Sequence, residues 1–185
     1  TTTLIYEGSL DYPQRDRYWA IVEKYGVSVL YTHQTVIRRL MAWGDAHPKK
    51  HDLSSLRLLA SSGEPINPEA WLWYWQNIGG SRCPVVNTWW QTEAGMMLIA
   101  ALPGISTLKP GSACRPFPGV EVGVVDKAGK TLGPGQVGYL VVKKPWPAMF
   151  RSTFPDPSDY LARYWSRYPG MYVPGDAAKI DEDGH

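Results

Sequence analysis

The side chains most able to do chemistry fall in three short clusters. The densest, Asn87-Thr88-Trp89-Trp90-Gln91-Thr92-Glu93, packs amides, hydroxyls, indoles and a carboxylate into consecutive positions. That mixture suits a nucleotide. Amides and hydroxyls pair with heteroatoms, indoles offer flat faces for the base, and the acid suits a metal. The second cluster, Gly63-Glu64-Pro65, follows Ser61-Ser62; the third, Tyr172-Val173-Pro174-Gly175-Asp176, ends on a carboxylate. As residues alone, the first could equally be a strand closed by a capped turn, and Asp176 a turn carboxylate after Pro-Gly.

The elements that must position these clusters alternate between strand and helix. A β-rich run over 2–6 precedes a helix over 14–25, in which Tyr18, Val22 and Tyr25 share one face. Gly26 closes that helix in a left-handed conformation. Residues 27–31 predict a strand and 33–43 a helix buried through Val36, Ile37, Leu40 and Met41, closed by Gly44. Residues 56–60 predict a second strand. A third helix begins at Pro68, with Asn67 as N-cap and Glu69 at the positive end of the dipole. Its apolar face is Trp71, Leu72, Trp75 and Ile78, so these indoles are core. Residues 84–89 predict the next strand.

The fold class is therefore α/β, a parallel sheet with crossover helices over about 1–102. Ligands of open sheets lie beyond the carboxyl ends of the strands, which singles out 61–65 and 89–93. Over 103–185 the texture changes: Pro and Gly become frequent, 120–125 and 138–143 predict short strands, and 126–130 predicts a turn. This portion reads as a small β-rich, barrel-like subdomain.

Composition excludes several classes. With 44% apolar residues the chain buries a sizeable core and is not a disordered segment. The net charge is +2, and basic residues cluster only briefly at Arg38-Arg39, Lys49-Lys50-His51 and Lys143-Lys144. A nucleic-acid partner calls for a longer stripe. No apolar run approaches the roughly 18 residues of a membrane span. The two cysteines, Cys83 and Cys114, are too few for a disulfide framework or a zinc site, and suit a cytoplasmic protein with reduced thiols. Nine tryptophans admit a Trp-rich sugar-binding module. Residues 1–10 lack a basic leader segment, the first residue is Thr, and 181–185 reads as a turn, so both ends read as cut points.

The run Thr88-Trp89-Trp90-Gln91-Thr92-Glu93 resembles the signature of AMP-forming acetyl- and propionyl-CoA synthetases, within the adenylate-forming superfamily. The likeness extends along nearly the whole chain: Glu7-Gly8, Tyr12-Pro13, Ser54-Ser55-Leu56-Arg57, Gly63-Glu64-Pro65-Ile66-Asn67-Pro68-Glu69-Ala70-Trp71, Lys109-Pro110-Gly111-Ser112 and Pro174-Gly175-Asp176 keep the family's order and spacing. The resemblance implies a ligase for short carboxylic acids that uses ATP, Mg2+ and coenzyme A, with small molecules as its partners. It implies that Gly63, Glu64 and Pro65 border the adenine and that Asn87, at a position usually Asp, lies near the adenine amino group. It assigns Thr88, Trp89, Trp90, Gln91 and Thr92 to the AMP and acyl group, with the Thr92 hydroxyl toward the α-phosphate. Glu93 is assigned to magnesium, Asp176 to the ribose hydroxyls, Trp90 to the wall of the acyl pocket, and Asp11, often Asn in the family, to coenzyme A.

Departures from the pattern loosen two of these assignments. Ser62 stands where acetate enzymes usually carry Val in the acyl pocket, which leaves a ligase for a larger or aryl acid as an alternative. His33-Gln34 replaces a family Ala-Pro near the coenzyme entrance, and a His at a helix start is a structural or surface residue, so His33 receives no role. The Ser/Thr/Gly-rich phosphate loop, the hinge and the catalytic lysine that the resemblance implies are not among these residues. The 185-residue piece is therefore expected to lack synthetase activity by itself.

Overall fold

A computed structural model describes residues 2–185. The chain forms two compact units, Thr1–Val86 and Asn87–His185. The change of texture near residue 102 lies inside the second.

The first unit is built as strand–helix repeats. Helix α1, Arg17–Tyr25, ends in a Schellman arrangement, with Gly26 at φ 56° and its amide donating to Glu23 O. The Val27 amide reaches back to Val22 O at 3.0 Å. Its buried residues are Trp19, Ile21 and Val22, whereas Tyr25 is exposed, so the core face is rotated by about a residue from the expected Tyr18–Val22–Tyr25 stripe. Strand β1, Val29–His33, helix α2, Gln34–Ala42, and strand β2, Leu58–Ser62, follow. The two strands pair in parallel, with Thr32 opposite Ser61 and His33 opposite Ser62. This is the expected parallel pairing, and it aligns the carboxyl ends of both strands. Strand β2 is buried on nearly every residue, as a strand covered on both faces must be. Arg82 fixes the loop before it, donating to the carbonyls of Leu53 and Ser54 at 3.0 Å each and to that of Leu56.

Helix α3, Pro68–Trp73, begins at Asn67 as expected, although no side-chain capping bond forms there. It runs into a π-turn at Tyr74–Ile78, where the Gly79 amide bonds to Tyr74 O. The wider turn shifts the side-chain register. Trp73 and Tyr74 are buried with Trp71 and Ile78, while Leu72 is exposed, a correction to the expected face. The β-rich run at 2–6 forms no strand: the described residues give its backbone no ladder partner, and β propensity alone does not hold an extended segment in place.

Strand β3, Val85–Trp90, enters from the first unit, where the Leu59 amide donates to Pro84 O, and ends in the second. In the second unit it pairs antiparallel with β4, Met97–Ala100, with a break in register between Trp89 and Trp90. Strands β5, Val122–Val125, and β6, Gly138–Val142, form the expected antiparallel pair, and β7, Ala177–Ala178, adds to β6. The Asp126 turn between β5 and β6 closes through Oδ1, which accepts from the Ala128 and Lys130 amides. This small sheet stays open, with order β5-β6-β7, rather than closing into the expected barrel-like form, because β7 is only two residues long. Helix α4, Pro157–Tyr164, covers a core of Ala94, Leu98, Val142, Trp146, Tyr160 and Tyr172.

Candidate functional site

In the first unit, the site residues sit where two parallel strands end. Ser61 and Ser62 finish β2 as buried polar residues. Gly63 then turns the chain at φ 93°, and a Cβ there would run into the imidazole of His33. The glycine is thus required by a positive φ and by a close side chain. Glu64 and Pro65 are exposed. The carboxylate of Glu64 accepts a hydrogen bond from Gln34 Nε2 and lies 3.6 Å from Arg38. His33 and Gln34, which received no role from sequence, therefore shape and tether this loop from the start of α2. Asp11 lies in a turn, accepts from Ser9 Oγ and pairs with Arg39 at 3.7 Å. The Ser9 hydrogen bond, then a backbone hydrogen bond and the charge of Arg39, hold its carboxyl below the usual range.

In the second unit, the end of β3 and the turn after it carry the densest cluster. Asn87 and Thr88 are buried polar side chains in the middle of β3. Beyond the break in register, Trp89 is half-buried and Trp90 is 44% exposed. Trp89 Nε1 donates to Asp176 Oδ2 at 3.1 Å, and Gln91 Nε2 donates to the same oxygen at 3.4 Å and to Pro174 O at 3.1 Å. The Tyr172 hydroxyl donates to Gln91 Oε1 at 2.8 Å. That donor sets the orientation of the amide, leaving Nε2 to face the carboxylate. Asp176 itself is held by its carbonyl, which accepts from the Leu140 amide of β6 at 2.9 Å. The first and third sequence clusters thus meet through one carboxylate.

Thr92 and Glu93 lie in a 3-10 turn, Thr92–Ala94, closed by Gly95 at φ 70°. The loop after β6 clamps this turn. Trp146 Nε1 donates to Ala94 O at 2.6 Å, and the Phe150 amide donates to Glu93 O at 3.2 Å. Any side chain at Gly95 would meet the Ala148 carbonyl. Thr92 is exposed, while Glu93 is half-buried and accepts from the Tyr164 hydroxyl at 2.7 Å. Burial, and then the neighbouring Glu93 charge, raises the phenols of both Tyr164 and Tyr172, so both remain donors near neutral pH.

Sequence reasoning missed Tyr164 and its helix. The signal was present in Asp156-Pro157-Ser158: Asp156 is the N-cap, with Oδ1 accepting from the Ser158 amide at 2.8 Å, and Pro157 opens the helix. Trp19, Trp71, Trp73 and Trp146 are all buried, and Trp146 stacks on Trp165 inside the core. Cys83 and Cys114 are free thiols. Among the described residues no helix is long and apolar enough to cross a membrane.

A parallel strand pair with a glycine turn at its carboxyl end is the arrangement of open α/β sheets, in which ligands lie beyond the carboxyl ends of strands. The chain belongs to the family of AMP-binding enzymes, whose model matches residues 1–151. It is similar to the acetyl-coenzyme A synthetase of Streptomyces avermitilis, with 55% identity over 99% of this chain and 28% of that protein. Its similarity to the acetyl-coenzyme A synthetase of Rubrobacter xylanophilus is 53% identity over 100% of this chain and 29% of that protein. The chain thus spans less than a third of the length of these curated relatives. The crystal structure of an acyl-CoA synthetase from Brucella canis matches with a TM-score of 0.75 at 30% identity, covering 91% of this chain and 30% of that one.

Proposed function

We propose that this chain is the nucleotide- and acyl-binding part of an AMP-forming acetate–CoA ligase. The observation that carries the proposal is the convergence of Trp89 Nε1 and Gln91 Nε2 on Asp176 Oδ2. Two donors on one oxygen fix a carboxylate in direction, which is what recognition of a ribose diol needs. Identity of 55% to an acetyl-coenzyme A synthetase along nearly the whole chain supports the same assignment.

In the parent enzyme an acetate oxygen attacks the α-phosphorus of ATP, and the bond to the pyrophosphate oxygen breaks. The coenzyme thiol then loses its proton to solvent, its sulfur bonds to the acyl carbon, and the bond from that carbon to the AMP oxygen breaks, so that AMP leaves. Proximity and electrostatic stabilisation supply most of the acceleration in such a transfer. In the first unit, Gly63, Glu64 and Pro65 border the adenine, and Asp11 contacts coenzyme A. In the second unit, Asn87 offers its amide oxygen to the adenine amino group, Thr88 through Thr92 line AMP, Thr92 faces the α-phosphate, and Asp176 takes the ribose hydroxyls.

The donor set fits magnesium carried on a nucleotide. Mg2+ takes one or two carboxylates and fills its remaining positions with phosphate oxygens and water. Glu93 supplies one carboxylate, and among the described residues no group of three or more His, Cys, Asp or Glu side chains could hold a metal without a nucleotide. Bound there, the ion would offset phosphate charge. The cytoplasm, where Cys83 and Cys114 stay reduced, is the compartment that suits this activity.

Ser62, buried at the end of β2, keeps a second acid class in view. The test is an acid panel on the full-length protein, with acyl-CoA products followed by mass. Acetate is expected to give the highest kcat/KM. Benzoate or a medium-chain acid exceeding acetate would replace the acetate assignment with one for a larger acid.

A further inference from the structure

We infer that Tyr164 is a positioning residue for Glu93, donating its phenolic proton to Oε1 and so aiming the carboxylate before any nucleotide arrives. The inference rests on the proposed function, because it takes Glu93 as the acid that would hold the metal.

Three observations carry it. The Tyr164 hydroxyl lies 2.7 Å from Glu93 Oε1, a length and donor type suited to a charge-assisted hydrogen bond. The contact engages Oε1, one of the two carboxylate oxygens, so it orients the acid without consuming both. Tyr164 is itself held from two sides. It is the last residue of α4, whose start is capped by Asp156 and whose Tyr160 is fully buried, and its ring stacks on Tyr172 at 5.2 Å and 15°. Tyr172 in turn orients Gln91, so two stacked phenols serve the acid side and the ribose side separately. Partners that orient a metal-ligating carboxylate set its affinity as well as its geometry.

The test uses the full-length protein. Tyr164→Phe keeps the ring stack and deletes only the donor. Calorimetric titration of ATP with Mg2+ present should show binding weakened by about tenfold or more, while AMP binding without metal stays within twofold of the unsubstituted protein. Tyr172→Phe should do the reverse, weakening AMP binding without metal and leaving the metal-dependent increment unchanged. In a Glu93→Gln background, Tyr164→Phe should add no further loss. If the unsubstituted protein shows no metal-dependent gain in ATP binding, the functional proposal fails and the inference with it. If that gain is present and Tyr164→Phe leaves it intact, or if the loss persists undiminished in the Glu93→Gln background, only the positioning role is overturned.

Discussion

At Gly63 a single missing Cβ lets the His33 ring close over the turn, at a φ that side-chain-bearing residues avoid. Gly63→Ala is expected to cost the full-length protein about 1–3 kcal/mol in urea unfolding. Adding His33→Ala should recover the steric share and leave the backbone share. At Trp90, the exposed indole beyond the break in β3, truncation should widen acid selection. Trp90→Gly is expected to raise kcat/KM for acids one methylene longer than acetate by about tenfold or more relative to acetate. An unchanged acid profile would remove Trp90 from the acyl wall. Residue types in 87–93 left ligand chemistry and a capped strand end both open, and only the family resemblance distributed roles among them. His33 was not legible, because nothing in its neighbours along the chain says that it faces a glycine 30 positions later.

At the scale of elements, α4 links the distal loop to the acid. Asp156→Ala removes the cap and should fray the helix that carries Tyr164. The full-length variant should therefore need more Mg2+ for half-maximal activity, a milder copy of Tyr164→Phe, together with a lower thermal midpoint. A normal metal requirement with a lowered midpoint would separate the cap from the site. Strands β1 and β2 and helix α2 were legible from apolar β-branched runs, helical spacing and closing glycines, with their ends shifted by one or two residues. The π-turn after Trp73 was not, since periodic patterns assume the spacing it breaks. The run at 2–6 shows the opposite failure: strand-like composition without a ladder partner.

At the scale of the molecule, each unit has its own polar ties. In the second, Lys109 bonds Asp181 at 2.6 Å and Asp183 at 2.7 Å, anchoring the turn that ends the chain. The Lys109 hydrogen bond holds the Asp181 carboxyl down at about 2. A depressed carboxylate stabilises the fold above its unfolded value, near 3.9, and loses that contribution as pH falls through the folded value. Lys109→Met should therefore lower the unfolding midpoint of the full-length protein by a constant amount between about pH 5 and 8, and the gap should shrink toward about pH 2. A gap that widens on acidification would contradict the assignment. The parallel pairing and the later antiparallel sheet were readable from alternation and turn residues. The break between compact units inside β3 was not, because a strand reads the same whether or not its two ends serve different cores.

The most direct test of the central claim is pyrophosphate exchange into ATP, driven by acetate, in the full-length protein and its Asp176→Ala variant. Acetate-dependent exchange is expected in the unsubstituted protein, falling by about tenfold or more when the charge-assisted contact to the ribose is lost. Exchange that is independent of acetate, or undiminished without the Asp176 carboxylate, would contradict the claim.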